Sequence, residues 1–488
     1  MTSFAQAAYD DSRRTLTENG ANAYNSTGHA VLDLFGCIGS LRERHPQEIE
    51  RLFADAYKES PLLTTRCLFY CRDVRGGLGE RRTFRILLHY AACKHPEAVK
   101  PNIPYIGIYG RFDDMYALIG TPLEADMWEQ MDAQFKLDEF HMRRNENVSL
   151  LAKWIKTPDA SSKETRRLGI LTANKLDKTV YHFKRRLRAL RKYICIVEAK
   201  MSTNDWTSID YAAVPSRAMM IYRNAFKRHD QTRYEAFLGK VEKGEAVIHA
   251  ATLFPYDLVE KYEAMGWKAA EDTTIEMQWR ALPDYVGTAC NAIVMADTSN
   301  SMTGRPMMSS LALAVYFAER NQGPYHGLWM SYSRNPMMHR LIGETLLQKL
   351  QSIERKFWSN NTDIEAAFKK ILDIAIRNKV SQEEMVKSLI IVSDMEFDIA
   401  QENYSWNFYD NMAELYRING YTIPNIVFWN VNSRNDIFHA DANRKGVQLV
   451  SGQSASTFKQ LMQAVGMSPV DMMLQVLNAE RYQPITVG

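Results

Sequence analysis

Asp297, Ser299 and Ser301 follow one another at alternate positions where an apolar run, Ala292-Ile293-Val294-Met295-Ala296, comes to an end. One carboxylate and two hydroxyls at that spacing offer hard oxygen donors, the chemistry that suits a divalent cation such as Mg²⁺ or Mn²⁺. Two later segments could complete the set. Asn361-Thr362-Asp363 opens an amphipathic run, and Leu389-Ile390-Ile391-Val392-Ser393-Asp394 is a second apolar run that also ends in Asp.

A nuclease reading competes, because Glu396 and Asp398 follow Asp394 closely. Two-metal hydrolysis needs several carboxylates converging on ions roughly 4 Å apart. Glu396 and Asp398 are expected on a solvated loop instead, and no His lies near Asp297 or Asp394 in sequence to act as an obvious acid or base, although a distant one could fold in. The chain is therefore expected not to be an enzyme.

The elements needed to position these donors are legible from Pro283 onward. Short β-branched or aromatic runs (292–296, 326–332, 389–392, 426–429, 447–450) alternate with helical patterns (306–320, 362–377, 406–418, 456–465). Strands apolar throughout and separated by helices indicate a parallel sheet covered on both faces. In a doubly wound α/β sheet of this kind ligands bind at the carboxyl ends of the strands where the order reverses, so Asp297 and Asp394 can meet despite their separation.

The chain ahead of that point has a different grammar. Between about residues 27 and 275 apolar residues recur at three- and four-residue spacing, as in His29 to Phe35, Ile49 to Ala54 and Thr83 to Leu88. Breakers such as Ser60-Pro61, Gly76-Gly77 and His95-Pro96 separate these runs. Amphipathic helices stacked as an irregular solenoid or ring follow, without a clean sequence repeat. With 488 residues the chain exceeds what one core usually organises. The division expected is an α-helical domain over 1–285 and an α/β domain over 286–488.

Formal net charge is only +3, but residues 153–233 hold 19 Lys or Arg against seven acids, a local +12 that leaves −9 for the remainder. Such asymmetry marks a surface facing a polyanion. Its densest stretch runs from Lys184 to Lys192. On a helix Phe183, Leu187, Leu190 and Ile194 share one face, while Lys184, Arg185, Arg188, Arg191 and Lys192 take the opposite one and Arg186 the flank. Those five residues are the candidate nucleic-acid contacts. The loop Arg72 to Arg82 has glycines resembling a phosphate cradle but lacks the Lys-Ser/Thr of a nucleotide loop, so a tight turn braced by Arg and carboxylate pairs is expected there.

Composition narrows the setting. Hydrophobic residues make up 46% and charged residues 24%, with no run of 18 or more apolar residues, so no membrane span is expected. The first residues lack the order of a signal peptide. Six cysteines without a Cys-x-x-Cys pair are too few for a disulfide scaffold, and Cys67 and Cys71 read as buried thiols. A cytoplasmic location without zinc is expected.

Asp297-Thr298-Ser299-Asn300-Ser301, followed by Thr362 and Asp394, resembles a von Willebrand factor type A domain with its metal-ion-dependent adhesion site. By that resemblance Ser299, Ser301 and Thr362 bind the metal through hydroxyls, and Asp297 and Asp394 directly or through water. Neutral hydroxyls leave the ion's charge less compensated than a carboxylate cage, so an open position would attract an outside carboxylate or phosphate. Helical repeats followed by such a domain resemble the Ro autoantigen family, whose helical module is the TROVE domain, and more closely its Ro-like relatives in bacteria, phages and plants. Thr17-Glu18-Asn19-Gly20-Ala21, Leu32 to Phe35, Arg72 to Arg82, Tyr109 to Asp114 and Ile426 to Asn430 carry that match. It implies a ribonucleoprotein: a helical ring binding small structured RNA on its basic outside. The rival expectation is a metal-dependent interaction or assembly module, virion- or chaperone-associated, in which the ion captures an acidic protein partner.

Overall fold

A computed structural model describes residues 4–287, 291–332, 336–353, 363–398 and 408–488. Helices dominate up to Arg280, and the break at Ser60-Pro61 has a local cause. Ser60 ends helix Pro46–Glu59 and caps helix Pro61–Arg72, its hydroxyl accepting from Leu63 N at 3.4 Å, while Pro61 needs no N–H partner at the first helical position. The three segments expected to be helical fall in helices Ala30–Cys37, Pro46–Glu59 and Arg82–Lys94. A small hairpin precedes them, β1 (Arg14–Leu16) pairing antiparallel with β2 (Asn22–Tyr24) around Asn19-Gly20.

Six further strands form one mixed sheet: β3 (Ala292–Asp297), β4 (Leu328–Tyr332), β5 (Met337–Arg340), β6 (Ser388–Ser393), β7 (Asn425–Asn430) and β8 (Val447–Ser451). Their order is β5-β4-β3-β6-β7-β8, all parallel except the edge strand β5. The chain winds outward from β3 in one direction and from β6 in the other, which is the doubly wound arrangement expected. Strand β5 was not among the expected strands: an edge strand of four half-exposed or exposed residues shows no apolar run.

Every residue of β3 and of β6 is buried. Alternation sends Ile293, Met295, Leu389 and Ile391 into a core shared with helix Ala30–Cys37 and the other amino-terminal helices. Ala292, Val294, Ala296, Ile390 and Val392 enter a second core with helix Arg305–Arg320 and helices Pro255–Met265 and Thr273–Arg280. The sheet is thus sandwiched by helices from both sides of residue 285. Burying one such Ile or Leu side chain contributes about 1.5–3 kcal/mol, so the two portions of the chain stabilise each other.

Backbones meet closely at this seam. Gly39 N donates to Ser451 Oγ at 2.9 Å, and a Cβ on Gly39 would lie 2.8 Å from Gly452 Cα. Only hydrogen fits there. The carboxyl-terminal segment returns to the helical half as well, with Arg66 donating to Asn478 Oδ1 at 2.6 Å and Asn102 Nδ2 to Thr486 O at 2.6 Å. Cys67 and Cys71 are fully buried and free, as expected. Among the described residues no helix is long and apolar enough to cross a membrane.

Candidate metal centre and basic surface

The strand-end Asp residues meet at the point where the sheet's winding reverses. β3 pairs with β6 in register up to Ala296 opposite Val392, which places Asp297 beside Ser393 and one residue from Asp394. Asp297 is fully buried; its Oδ2 accepts from Ser393 Oγ at 2.6 Å and its Oδ1 from Ser299 N at 2.9 Å. Ser299 Oγ and Ser301 Oγ lie 3.0 Å apart. Burial, reinforced by the nearby charge of Asp394, pushes the Asp297 carboxyl up to about 6.

Tyr332 ends β4 directly opposite Asp297, and its buried hydroxyl has no hydrogen-bond partner among the described residues. Burial first, then the charges of Asp297, Asp363, Asp398 and Asp394, drive that phenol far above its ordinary range. All four of these carboxylates belong to the carboxyl-edge side of the sheet, and their negative charges are felt at the Tyr332 hydroxyl. Asp363 lies there as the N-cap of helix Ile364–Asn378, accepting from Ala366 N at 3.0 Å. Thr362 lies outside the described residues.

These donors fit a hard cation in type: two strand-end carboxylates, paired hydroxyls, and a negative field around a phenol without a hydrogen-bond partner among the described residues. Among the described residues no three His, Cys, Asp or Glu side chains are grouped to hold an ion by themselves, so the serine hydroxyls are essential to any such site. Arg434 supplies part of the missing positive charge, its Nη2 donating to Asp394 Oδ2 at 3.0 Å. No motif announces Arg434 in the sequence.

The expectation of a solvated loop after Asp394 is corrected by the fold. Glu396 is buried, and its carboxylate accepts from Glu18 N at 2.7 Å and from Asn435 Nδ2 at 2.9 Å. Asn19 Nδ2 donates to Glu396 O at 2.6 Å, Thr17 Oγ1 donates to Phe397 O at 2.6 Å, and Gly20 forms a β-bridge with Asp398. The hairpin around Asn19-Gly20 thus covers the loop. The Asn-Gly turn was a signal for the hairpin itself, but nothing local to it indicated a partner 378 residues away.

Helix Val180–Tyr193 forms as predicted, with Thr179 as its N-cap and Phe183, Leu187 and Leu190 buried. Its basic residues divide. Arg185, Arg188 and Lys192 are exposed without a side-chain partner among the described residues, whereas Lys184 pairs with Asp159 at 2.8 Å. Arg191 turns inward, donating to Ala152 O at 2.9 Å and Ile155 O at 3.0 Å. Arg186 grips Glu139 at 2.7 and 2.8 Å and Asp177 at 3.0 Å. Tyr181, 72% exposed, stands on the same face as Arg185, Arg188 and Lys192.

The Arg72 to Arg82 loop is the braced turn expected. Asp73 accepts from both Arg481 and Tyr482, and Arg42 Nη2 pairs with Glu80 Oε1 at 2.5 Å. A Cβ on Gly77 would fall 2.1 Å from Tyr70 O, so the turn closes only with glycine.

This chain belongs to the family described as "Domain of unknown function (DUF2828)", which matches residues 17–115 and 136–289, over half of its length. A second description, "Domain of unknown function (DUF7788)", matches residues 291–482. Uncharacterized protein L728 of Acanthamoeba polyphaga mimivirus is 26% identical over 97% of this chain and 89% of its own length. The crystal structure of the Deinococcus radiodurans Ro (RSR) protein aligns with a TM-score of 0.42 at 13% identity, covering 93% of this chain and 100% of that one.

Proposed function

We propose that this protein is a non-enzymatic RNA-binding scaffold of the Ro-like type, taking small structured RNA on its basic helical surface. The observation that carries the reading is the exposed row of Tyr181, Arg185, Arg188 and Lys192 on helix Val180–Tyr193. Unpaired cations beside an exposed aromatic ring suit a phosphate backbone with accessible bases. Phosphate attraction dominates such affinity, and RNA structure supplies selectivity.

The α/β half is read as a von Willebrand factor type A domain holding one Mg²⁺ or Mn²⁺ through Asp297, Ser299, Ser301, Thr362 and Asp394. Support comes from the strand order with its antiparallel edge and from the pairing of strand-end donors. The ion would supply a Lewis-acidic contact for an incoming carboxylate or phosphate. Action in the cytoplasm, within a ribonucleoprotein, belongs to the same proposal.

The test is capture of RNA by the purified protein across a salt series, with crosslinked RNA sequenced. Replacing Arg185, Arg188 and Lys192 together by Glu is expected to weaken capture of all sequences and to flatten the log–log salt slope by roughly 0.7–0.9 for each lost phosphate contact. An unchanged slope would place the RNA surface elsewhere.

A further inference from the structure

A second group of cations, distant in sequence from the basic helix, converges beside it. Asp113 Oδ2 receives Arg111 Nη2 at 2.5 Å, Arg85 Nη2 at 3.1 Å and Lys156 Nζ at 3.1 Å. Asp114 takes Arg72 Nε at 2.7 Å and Arg85 Nε at 2.6 Å. Both carboxylates are buried, and Arg111 lies over the Trp154 ring at 3.8 Å, which fixes its plane. Although burial opposes it, this ring of cations holds the Asp113 carboxyl well below the usual range.

Arg81 stands one helical turn before Arg85, whose N donates to Arg81 O at 3.1 Å; its side chain is exposed and has no hydrogen-bond or ion-pair partner among the described residues. Partial burial first, and then the charges of Arg111 and Arg85, lower its affinity for a proton, with Asp113 opposing them. Arg81 is also the N-cap of helix Arg82–Lys94, whose first N–H groups no side chain caps, so the helix end adds to the positive field. Asp113 and Asp114 are two carboxylates against the five cations Arg72, Arg81, Arg85, Arg111 and Lys156, so positive charge is left over for an anion. Planar guanidiniums fixed by stacking and by carboxylates present preset donors for phosphate oxygens.

The placement links this group to the basic helix. Arg191 clasps the carbonyls of Ala152 and Ile155, so the segment carrying Trp154 and Lys156 is fastened to helix Val180–Tyr193. Lys156 N also donates to Tyr116 Oη at 3.0 Å, and Tyr116 Oη bonds Thr172 Oγ1 at 2.8 Å on the neighbouring helix Lys163–Leu176.

We propose that Arg81, Arg85, Arg111 and Lys156 form a phosphate-binding site that takes a backbone phosphate of the RNA received by the basic helix. The identity of that phosphate rests on the RNA reading; the site itself does not. Arg81→Gln tests it, because Arg81 pairs with no other side chain among the described residues and its loss leaves the Asp113 and Asp114 pairs intact.

Binding of inorganic pyrophosphate to the full chain is measured by calorimetry in EDTA, so that ion-bridged binding at the strand ends is removed. Wild-type protein is expected to bind, Arg81→Gln to bind about five- to tenfold more weakly, and Lys459→Gln, a neutralised exposed lysine elsewhere, to match wild type. Displacement of pyrophosphate by oligouridine RNA assigns the site to backbone phosphate. Displacement by nucleoside triphosphates alone assigns it to a free phosphoryl compound and leaves the site standing. Failure of RNA capture with pyrophosphate binding intact would sink the RNA reading only. No pyrophosphate binding by wild type, or equal binding by wild type and Arg81→Gln, overturns the proposal.

Discussion

Arg434 neutralises Asp394: the guanidinium donates from Nη2 to Asp394 Oδ2 at 3.0 Å and from the same fork pairs through Nη1 with Glu18 Oε2 at 3.0 Å. Asp394 is 2% exposed in its side chain and Arg434 34%, so the pair reaches from the carboxyl edge of the sheet to the covering hairpin. A cation bound beside Asp394 competes with this guanidinium for the same carboxylate. Arg434→Gln is therefore expected to lower the melting temperature in EDTA, since losing one partner of a buried pair costs about 3–5 kcal/mol and less where, as here, one partner is partly solvated. Added Mn²⁺ should restore part of that loss and bind more tightly than in wild type. Mn²⁺ affinity equal to or weaker than wild type would show that Arg434 does not compete.

Asp297→Ala is expected to abolish Mn²⁺ binding measured by calorimetry, with circular dichroism unchanged. The carboxylate lies between Ser299 N and Ser393 Oγ, where it orders the loop that presents both serine hydroxyls. Ser299→Ala should weaken the ion without removing it. Unchanged affinity in Asp297→Ala would remove this site from consideration.

Arg191 and Arg188 are three residues apart but have separate tasks. Arg191→Ala breaks two hydrogen bonds to backbone carbonyls and should cost about 2 kcal/mol in urea unfolding. Arg188→Ala, exposed and without a partner among the described residues, should fall within about 0.5 kcal/mol of wild type and alter RNA binding instead. Equal stability of the two variants would contradict the inward role of Arg191.

RNA incubated with the protein and Mg²⁺ or Mn²⁺ is expected to remain intact while bound. Glu396, the nearest additional carboxylate to Asp394 in sequence, is committed to Glu18 N and Asn435 Nδ2, which leaves it poorly placed to bridge two ions. Cleavage that disappears in Asp394→Ala would make the site catalytic.

Acid should weaken the fold through His439. Packed against Phe397 and Phe428, with Nε2 on Met395 O at 2.9 Å, the imidazole is held down to about 4 chiefly by burial. Between about pH 6.5, where an unfolded histidine takes up its proton, and about 4, the unfolded chain binds a proton that the folded one refuses. This contribution is fully present above about 6.5 and is lost as pH falls through that window. His439→Phe should show a shallower decline in urea midpoint between about pH 7 and 4.5; parallel declines would assign the acid sensitivity to other groups.

The sequence by itself determined most of the elements, because periodicity is local. Apolar runs ending in Asp297 and Asp394 marked the two strands that meet, and three- and four-residue spacing marked the helices that cover them. Alternate spacing of Asp297, Ser299 and Ser301 was enough to nominate candidate donors, since it depends on no residue outside that short stretch. What tertiary structure alone decided depends on contacts across hundreds of residues. Glu18 reaches Glu396 and Arg434 because the sheet is packed between helices from both portions of the chain, and Arg85, Arg111 and Lys156 meet at Asp113 through packing within the helical portion. The basic run from Lys184 to Lys192 looked uniform because helical projection gives a direction but not a neighbour. Only packing against Ala152 and Ile155 turned Arg191 into a clasp and left Arg185, Arg188 and Lys192 facing solvent.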